Sequence, residues 1–202
     1  MLLSFATSCL PGIMLSPQPP RRSRLSSEHC IATNPSDLAV ALAALDARVR
    51  VHEPDGPREI PLEEFYRPVG DTPDREVTMA GGALITAVIV PPLAMAARSR
   101  YRKVRERASF AFAIASIAAA IDVVDGDVRD VRIALGAVAS RPWRARQAER
   151  ALIGRRATDQ RFREAADSEL AQAQPLRDNG YKVPMVRNLI VRTLAELVEA
   201  QQ

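Results

Sequence analysis

Lysine is scarce enough in this chain to mark the places where it stands. The 28 basic residues are 26 Arg and two Lys, Lys103 and Lys182. Lys103 sits in the string SRYRKVRERASF, with Arg100, Arg102, Arg105 and Arg107 around it. A composition bias toward Arg accounts for the neighbours. At position 103 the same bias would have supplied Arg if any cation served, as it would in a solvated basic loop. Lys is a compact point charge with a movable pKa, suited to a place where one small donor must reach an acceptor and a planar guanidinium cannot. A solvated loop and a placed cation are both compatible with these residues.

Other chemistries have less to stand on. A nucleophilic triad needs a His to orient, and the two present are His29, near the start of the chain, and His52, in an alternating segment that reads as an exposed strand. Cys9 and Cys30 cannot form a disulfide framework, and with two His they do not give the spacing of a classical zinc site. Neither a GxGxxG loop after a strand nor a GxxxxGK[ST] loop occurs. The Gly81-Gly82 pair reads as a turn ahead of an apolar run.

The chain has 202 residues, 47% hydrophobic and only 4% aromatic, so Ala, Val, Ile and Leu must fill its core. Its net charge of +4 hides a division: residues 36–82 carry a net −5 and residues 98–163 a net +9. Clustered Arg is the footprint of phosphate binding, yet no helix-turn-helix, zinc finger or aromatic platform accompanies it, which makes nucleic acid the lesser reading. The opening MLLSFATSCLPGIMLSPQPPRRSRLSS has no core-forming period and reads as a disordered tail over 1–27; its Arg residues follow the apolar stretch, unlike those of a signal peptide. No apolar run approaches the ~18 residues of a membrane-spanning helix.

Order begins at NPSDLAVALAALDARVRV. Ser36 or Pro35 opens a short helix, Asp37 suits its first turn, and Leu38, Leu42 and Leu45 recur at helical spacing. Arg48–His52 alternates as a strand, and the EPDGPR turn predicts a hairpin with REIPLEEF. The β-branched run at 84–90, closed by two prolines, predicts a strand buried on both faces. SFAFAIASIAAAID is read as strand, with Phe110, Phe112, Ile114 and Ser116 at strand spacing, turning at Asp125-Gly126 into VRDVRIALGAVA. Beyond Pro142 three helices are predicted: one with Ala148, Leu152 and Ile153 that stops at Gly154, one over Asp159–Ala173, and one over Val183–Glu199. The last carries Val186, Ile190, Leu194, Leu197 and Val198 on one stripe. The architecture is α+β, an antiparallel sheet backed by C-terminal helices.

Several of these strings together resemble one family, the FAD-binding subunits of molybdenum-containing hydroxylases, the xanthine dehydrogenase and aldehyde oxidoreductase group. CIATNPSDLAVALAALDA is similar to the start of that family's second FAD subdomain, and GDTPDREVTMAGGALITAVIVPP to its loop and strand ending in Pro. SRYRKVRERASFAFAIASIAAAI resembles the opening of its C-terminal domain, and RIALGAVASRPWRARQAERAL with DNGYKV the remainder. The resemblance implies a partial second FAD subdomain over 28–97. Over 98–202 it implies a domain like the CO dehydrogenase flavoprotein C-terminal one, a three-stranded antiparallel sheet with a three-helix bundle.

The resemblance also implies FAD as cofactor, lying between two subdomains and passing electrons from [2Fe-2S] clusters to an external acceptor. It implies a molybdenum-cofactor large subunit and a [2Fe-2S] small subunit as partners in a heterotrimer. Asp37 in PSDLA then corresponds to a polar contact on the flavin side, Ile85 to an apolar contact on the ring, and Lys103 to a cation near the isoalloxazine. A cation there favours an anionic reduced ring and raises its potential. The family's glycine-rich pyrophosphate subdomain should precede residue 28, where nothing matches it, so an N-terminally truncated subunit with weak or absent flavin copurification is expected. Cys30 would be the last ligand of a [4Fe-4S] cluster that Cys9 alone cannot complete. The alternative is a docking module without flavin. The compartment expected is the cytoplasm, or the periplasm by export with a partner.

Overall fold

The computed structural model describes residues 32–68, 72 and 74–200. The tail over 1–27, which includes Cys9, lies outside the described residues, as do His29 and Cys30. Helix α1, Asp37–Ala44, starts where the sequence predicts: the Ser36 hydroxyl caps it by accepting from the Ala39 amide at 3.1 Å. Its buried face is Ala39, Val40, Ala43 and Ala44, whereas Leu38 is 68% exposed. Small side chains therefore let α1 lie close on what is beneath it.

The hairpin forms as expected. Strands β1 (Arg48–Glu53) and β2 (Gly56–Pro61) pair from Arg48↔Pro61 to Glu53↔Gly56, with Gly56 at φ +118°. A one-turn helix, α2 (Leu62–Phe65), follows, and strand β3 (Leu84–Ile89) pairs antiparallel to the other side of β1, giving the order β2-β1-β3. The Gly81-Gly82 turn precedes β3, and Gly82 takes the left-handed φ of +81° that the turn requires.

The double burial predicted for 84–90 is wrong. Leu84, Ile85, Val88 and Val90 are 46–60% exposed, because β3 is the edge of a three-stranded sheet. Ile85 and Val88 stand opposite Val51 and Val49. The cluster that buries those two β1 valines stops short of β3. A β-branched run reports strand preference; burial needs a covering layer as well.

A second sheet has the order β4-β5-β6-β7: β4 Ser99–Val104, β5 Ala115–Val124, β6 Asp127–Gly136 and β7 Trp143–Arg144. The two-residue β7 adds a fourth strand to the three expected. Residues 109–114 are not strand: β5 begins at Ala115, Phe110 has φ +50°, and Phe110 and Phe112 are exposed. The Ile114 amide donates to the Val104 carbonyl at 2.8 Å and closes the loop between β4 and β5. Asp125 and Gly126, at φ +52° and +83°, make the tight β5–β6 turn.

Strand β5 is covered on both sides. Ala115, Ile117, Ala119 and Ile121 join the core of the C-terminal helices α3 (Arg146–Leu152), α4 (Asp159–Leu170) and α5 (Lys182–Glu199), with Phe162, Ile190 and Leu194. Ala118, on the opposite face, packs with Ala134 of β6 under α1. The close approach of α1 depends on Gly136. Its Cβ, if present, would stand 2.4 Å from Val40 Cγ2 and 2.4 Å from Ser116 Oγ. Buried Glu169 ties the helices to β7, accepting from Trp143 Nε1 at 2.8 Å and from the Gln147 and Ala148 amides at the start of α3.

Candidate functional site

Asp37 and Lys103, 66 residues apart, meet where the first turn of α1 faces β4. Lys103 Nζ donates to Asp37 Oδ2 at 2.8 Å, and the Tyr101 hydroxyl donates to Asp37 Oδ1 at 2.6 Å. Tyr101 and Lys103 are two residues apart on a strand, so they leave β4 on the same side. Arg100 and Arg102 both reach Glu196 of α5 instead. SRYRKV is thus a strand, and the solvated basic loop is set aside for Lys103. Its cross-strand neighbour is the buried Ser116.

The electrostatics follow from this geometry. Partial burial pushes the Asp37 carboxyl up, but the bonds from Lys103 and Tyr101 and the lysine charge outweigh it, and the net shift is downward. Asp37 is therefore ionised at neutral pH. Tyr101 is pushed up to about 12, by burial first and then by its bond to the Asp37 carboxylate. Its hydroxyl keeps its proton at any ordinary pH. Lys103 is only 20% exposed at the side chain and Asp37 43%, leaving a polar pair that is fixed yet reachable.

Ile85 lies elsewhere, on β3, the outer strand of the other sheet, where it is 46% exposed and opposite Val51. The structure brings Asp37 and Lys103 into contact and leaves Ile85 outside that contact. Tyr101 and Ser116 escaped the sequence reading. Had SRYRKV been read as strand, the i, i+2 spacing would have paired Tyr101 with Lys103, but the Ser116 partnership depends on register.

The far end of α1 is also pinned. Arg144, 2% exposed at the side chain, donates through Nη1 to the Ala43 carbonyl and to Asp46 Oδ1, both at 2.6 Å, and through Nε to Glu149. Arg132 Nε reaches Asp46 Oδ2 at 3.0 Å. Burial raises the Asp46 carboxyl, and Arg144 with Arg132 and Arg146 more than reverses it, so Asp46 also titrates low. Two clefts, of about 180 and 220 Å³, share Glu63, Pro142, Arg144 and Arg146 at this end of α1, away from Lys103. Among the described residues, no group of three or more His, Cys, Asp or Glu could hold a metal ion, and no helix is long and apolar enough to cross a membrane.

Two family models and several known proteins match the chain. Residues 25–93 match the family model for the FAD binding domain in molybdopterin dehydrogenase, and residues 99–197 that for the CO dehydrogenase flavoprotein C-terminal domain. The chain is 43% identical over 171 residues to the aldehyde oxidoreductase FAD-binding subunit PaoB of Escherichia coli K12, covering 84% of this chain and 50% of that one. It is 28% identical over 166 residues to the glyceraldehyde dehydrogenase medium chain of Sulfolobus acidocaldarius, covering 80% and 57%. A carbon monoxide dehydrogenase structure from Hydrogenophaga pseudoflava superposes with a TM-score of 0.67 at 27% identity, covering 79% of this chain and 58% of that one. Quinoline 2-oxidoreductase from Pseudomonas putida 86 shares the fold with a TM-score of 0.71 at 19% identity, covering 84% and 58%. The chain spans about half the length of the curated relatives it matches.

Proposed function

We propose that this chain, which belongs to the family of FAD-binding subunits of molybdenum-containing hydroxylases, contacts the isoalloxazine end of FAD and serves in passing electrons from iron–sulfur clusters to an external acceptor. The observation that carries the reading is the contact of Lys103 with Asp37, which gathers two of the three residues implied by resemblance into one fixed pair.

The side chains present fit the ring end of that cofactor. An isoalloxazine offers a flat apolar face and an edge of carbonyl oxygens and ring nitrogens, so it needs apolar surface together with a fixed donor and acceptor. Lys103 supplies the donor and the charge and Asp37 the acceptor, while the apolar contact is assigned by resemblance to the exposed Ile85 on the other sheet. Bound FAD would supply the redox chemistry, which the side chains lack. Lys103 lends a positive charge that raises the electron affinity of a ring beside it. Asp37 holds the ammonium in one place, and Tyr101 holds Asp37. The partners we propose are a molybdenum-cofactor subunit and a [2Fe-2S] subunit, in keeping with a relative that is itself named as a subunit.

The test is FAD binding by the purified chain, followed by quenching of flavin fluorescence, in the wild type and in Lys103→Met and Asp37→Asn. Loss of one charge-assisted contact should weaken binding about ten-fold or more in Lys103→Met. Equal affinity in all three proteins refutes the site.

A further inference from the structure

We propose that Tyr101 is a positioning residue that fixes the Asp37–Lys103 pair. The role given to that pair at the flavin rests on the function proposed above; the positioning itself rests on geometry alone. A carboxylate held by a single ammonium can rotate about its side-chain torsions. Asp37 has two donors on two different oxygens, Tyr101 Oη on Oδ1 and Lys103 Nζ on Oδ2, and two such bonds fix both the plane and the position of the group.

Asp37 is also free for this task. At the start of α1 an aspartate could turn back onto the helix amides, but Ser36 already caps the helix by accepting from Ala39. Tyr101 and Lys103 project from one strand two residues apart, so the distance between the two donors is set by the β pleat. Ser116 is 1% exposed and is held in register between Lys103 and Gly136. The charged neighbours on β4 do not compete, since Arg100 and Arg102 are engaged with Glu196. The tyrosine serves as a fixed neutral donor, a role that a second cation would spoil by adding charge beside the pair.

The experiment uses the full chain and three proteins: wild type, Tyr101→Phe and Ser116→Ala. The Asp37 side-chain carboxyl is followed by carbon-13 NMR through a pH titration, and FAD affinity is measured in parallel by fluorescence quenching. Tyr101→Phe removes only the hydroxyl. It should move the Asp37 midpoint upward and weaken FAD binding by about two- to ten-fold, the span of one hydrogen bond. Ser116→Ala keeps both donors to Asp37 and should match the wild type in both readouts; Tyr101→Leu carries the test if Tyr101→Phe does not fold. An Asp37 midpoint that does not move in the Tyr101 variant overturns the proposal. A shifted midpoint with unaltered FAD affinity supports the positioning and overturns the role of the pair at the flavin. A shifted midpoint in a protein that takes up no FAD supports the positioning and overturns the flavin reading instead.

Discussion

Replacing Gly136 by Ala should disturb the molecule at the one place where α1, β5 and β6 converge. Gly136 is outside the left-handed φ region, so an alanine there meets no backbone strain, and the whole effect comes from its methyl group. That methyl would stand 2.4 Å from Val40 Cγ2 and 2.4 Å from Ser116 Oγ, each more than an ångström inside a comfortable carbon contact. Neither neighbour can swing away: Val40 and Ser116 are each 1% exposed. Overpacking of this kind costs about 1–3 kcal/mol. For a chain of this size each kcal/mol lowers Tm by about 2–4 °C, so Gly136→Ala should melt about 2–12 °C below the wild type. The strain falls three residues from Asp37 on α1 and directly on Ser116, the cross-strand neighbour of Lys103, so the Asp37 titration should move as well. Thermal unfolding followed by circular dichroism, with Val40→Ala and the double variant completing a cycle, is the assay. The double variant should be more stable than the two single effects predict, by about 0.5–3 kcal/mol, because Val40→Ala clears one of the two clashes. A Gly136→Ala protein that melts with the wild type, or a cycle with no coupling, refutes the packing argument.

Two further outcomes follow from the pinned ends of α1. Arg144→Met leaves the buried Glu149 with only its longer ion pair to Arg146 and removes a bond to the Ala43 carbonyl, and should cost about 3 kcal/mol in urea unfolding; adding Glu149→Gln should recover part of that loss. Asp37 and Asp46 both titrate below the ordinary aspartate value of 3.8, so the stability they contribute is complete above that value and is lost as pH falls through their lowered folded values. Asp46→Asn should therefore be less stable than the wild type at pH 7 and should converge on it in the acid limb of a pH–Tm profile; parallel profiles down to pH 2 contradict the ion-pair reading.

Much of the framework can be read locally. Ser36 and Asp37 announce α1, Pro54, Asp55 and Gly56 announce the first hairpin, and Asp125-Gly126 announces the second. Val186, Ile190, Leu194 and Leu197 all reach the core from one stripe of α5. Lys103 stands out against an Arg-rich background, and Asp37 and Ile85 become candidates through resemblance. The reading fails where a partner element decides the outcome. Residues 84–90 have the composition of a buried strand, but nothing covers β3; residues 109–114 have strand spacing, but the chain loops outward at Phe110 before β5 begins. Tyr101 carries only the strand spacing that pairs it with Lys103, and Arg144 carries no local signal, because their importance lies in bonds to residues far along the chain.

The sequence by itself determined the elements and the turns between them, since propensity, capping and tight-turn chemistry act within a few residues. It also determined the presence of a singular cation. Only the tertiary structure decided that this cation meets a carboxylate 66 residues away, because that contact depends on the register of β4 against β5 and on how closely α1 can approach the sheet. The approach is set by Gly136, a residue of β6 that touches neither member of the pair, and closeness of that kind is a property of layers in contact rather than of any one stretch of chain.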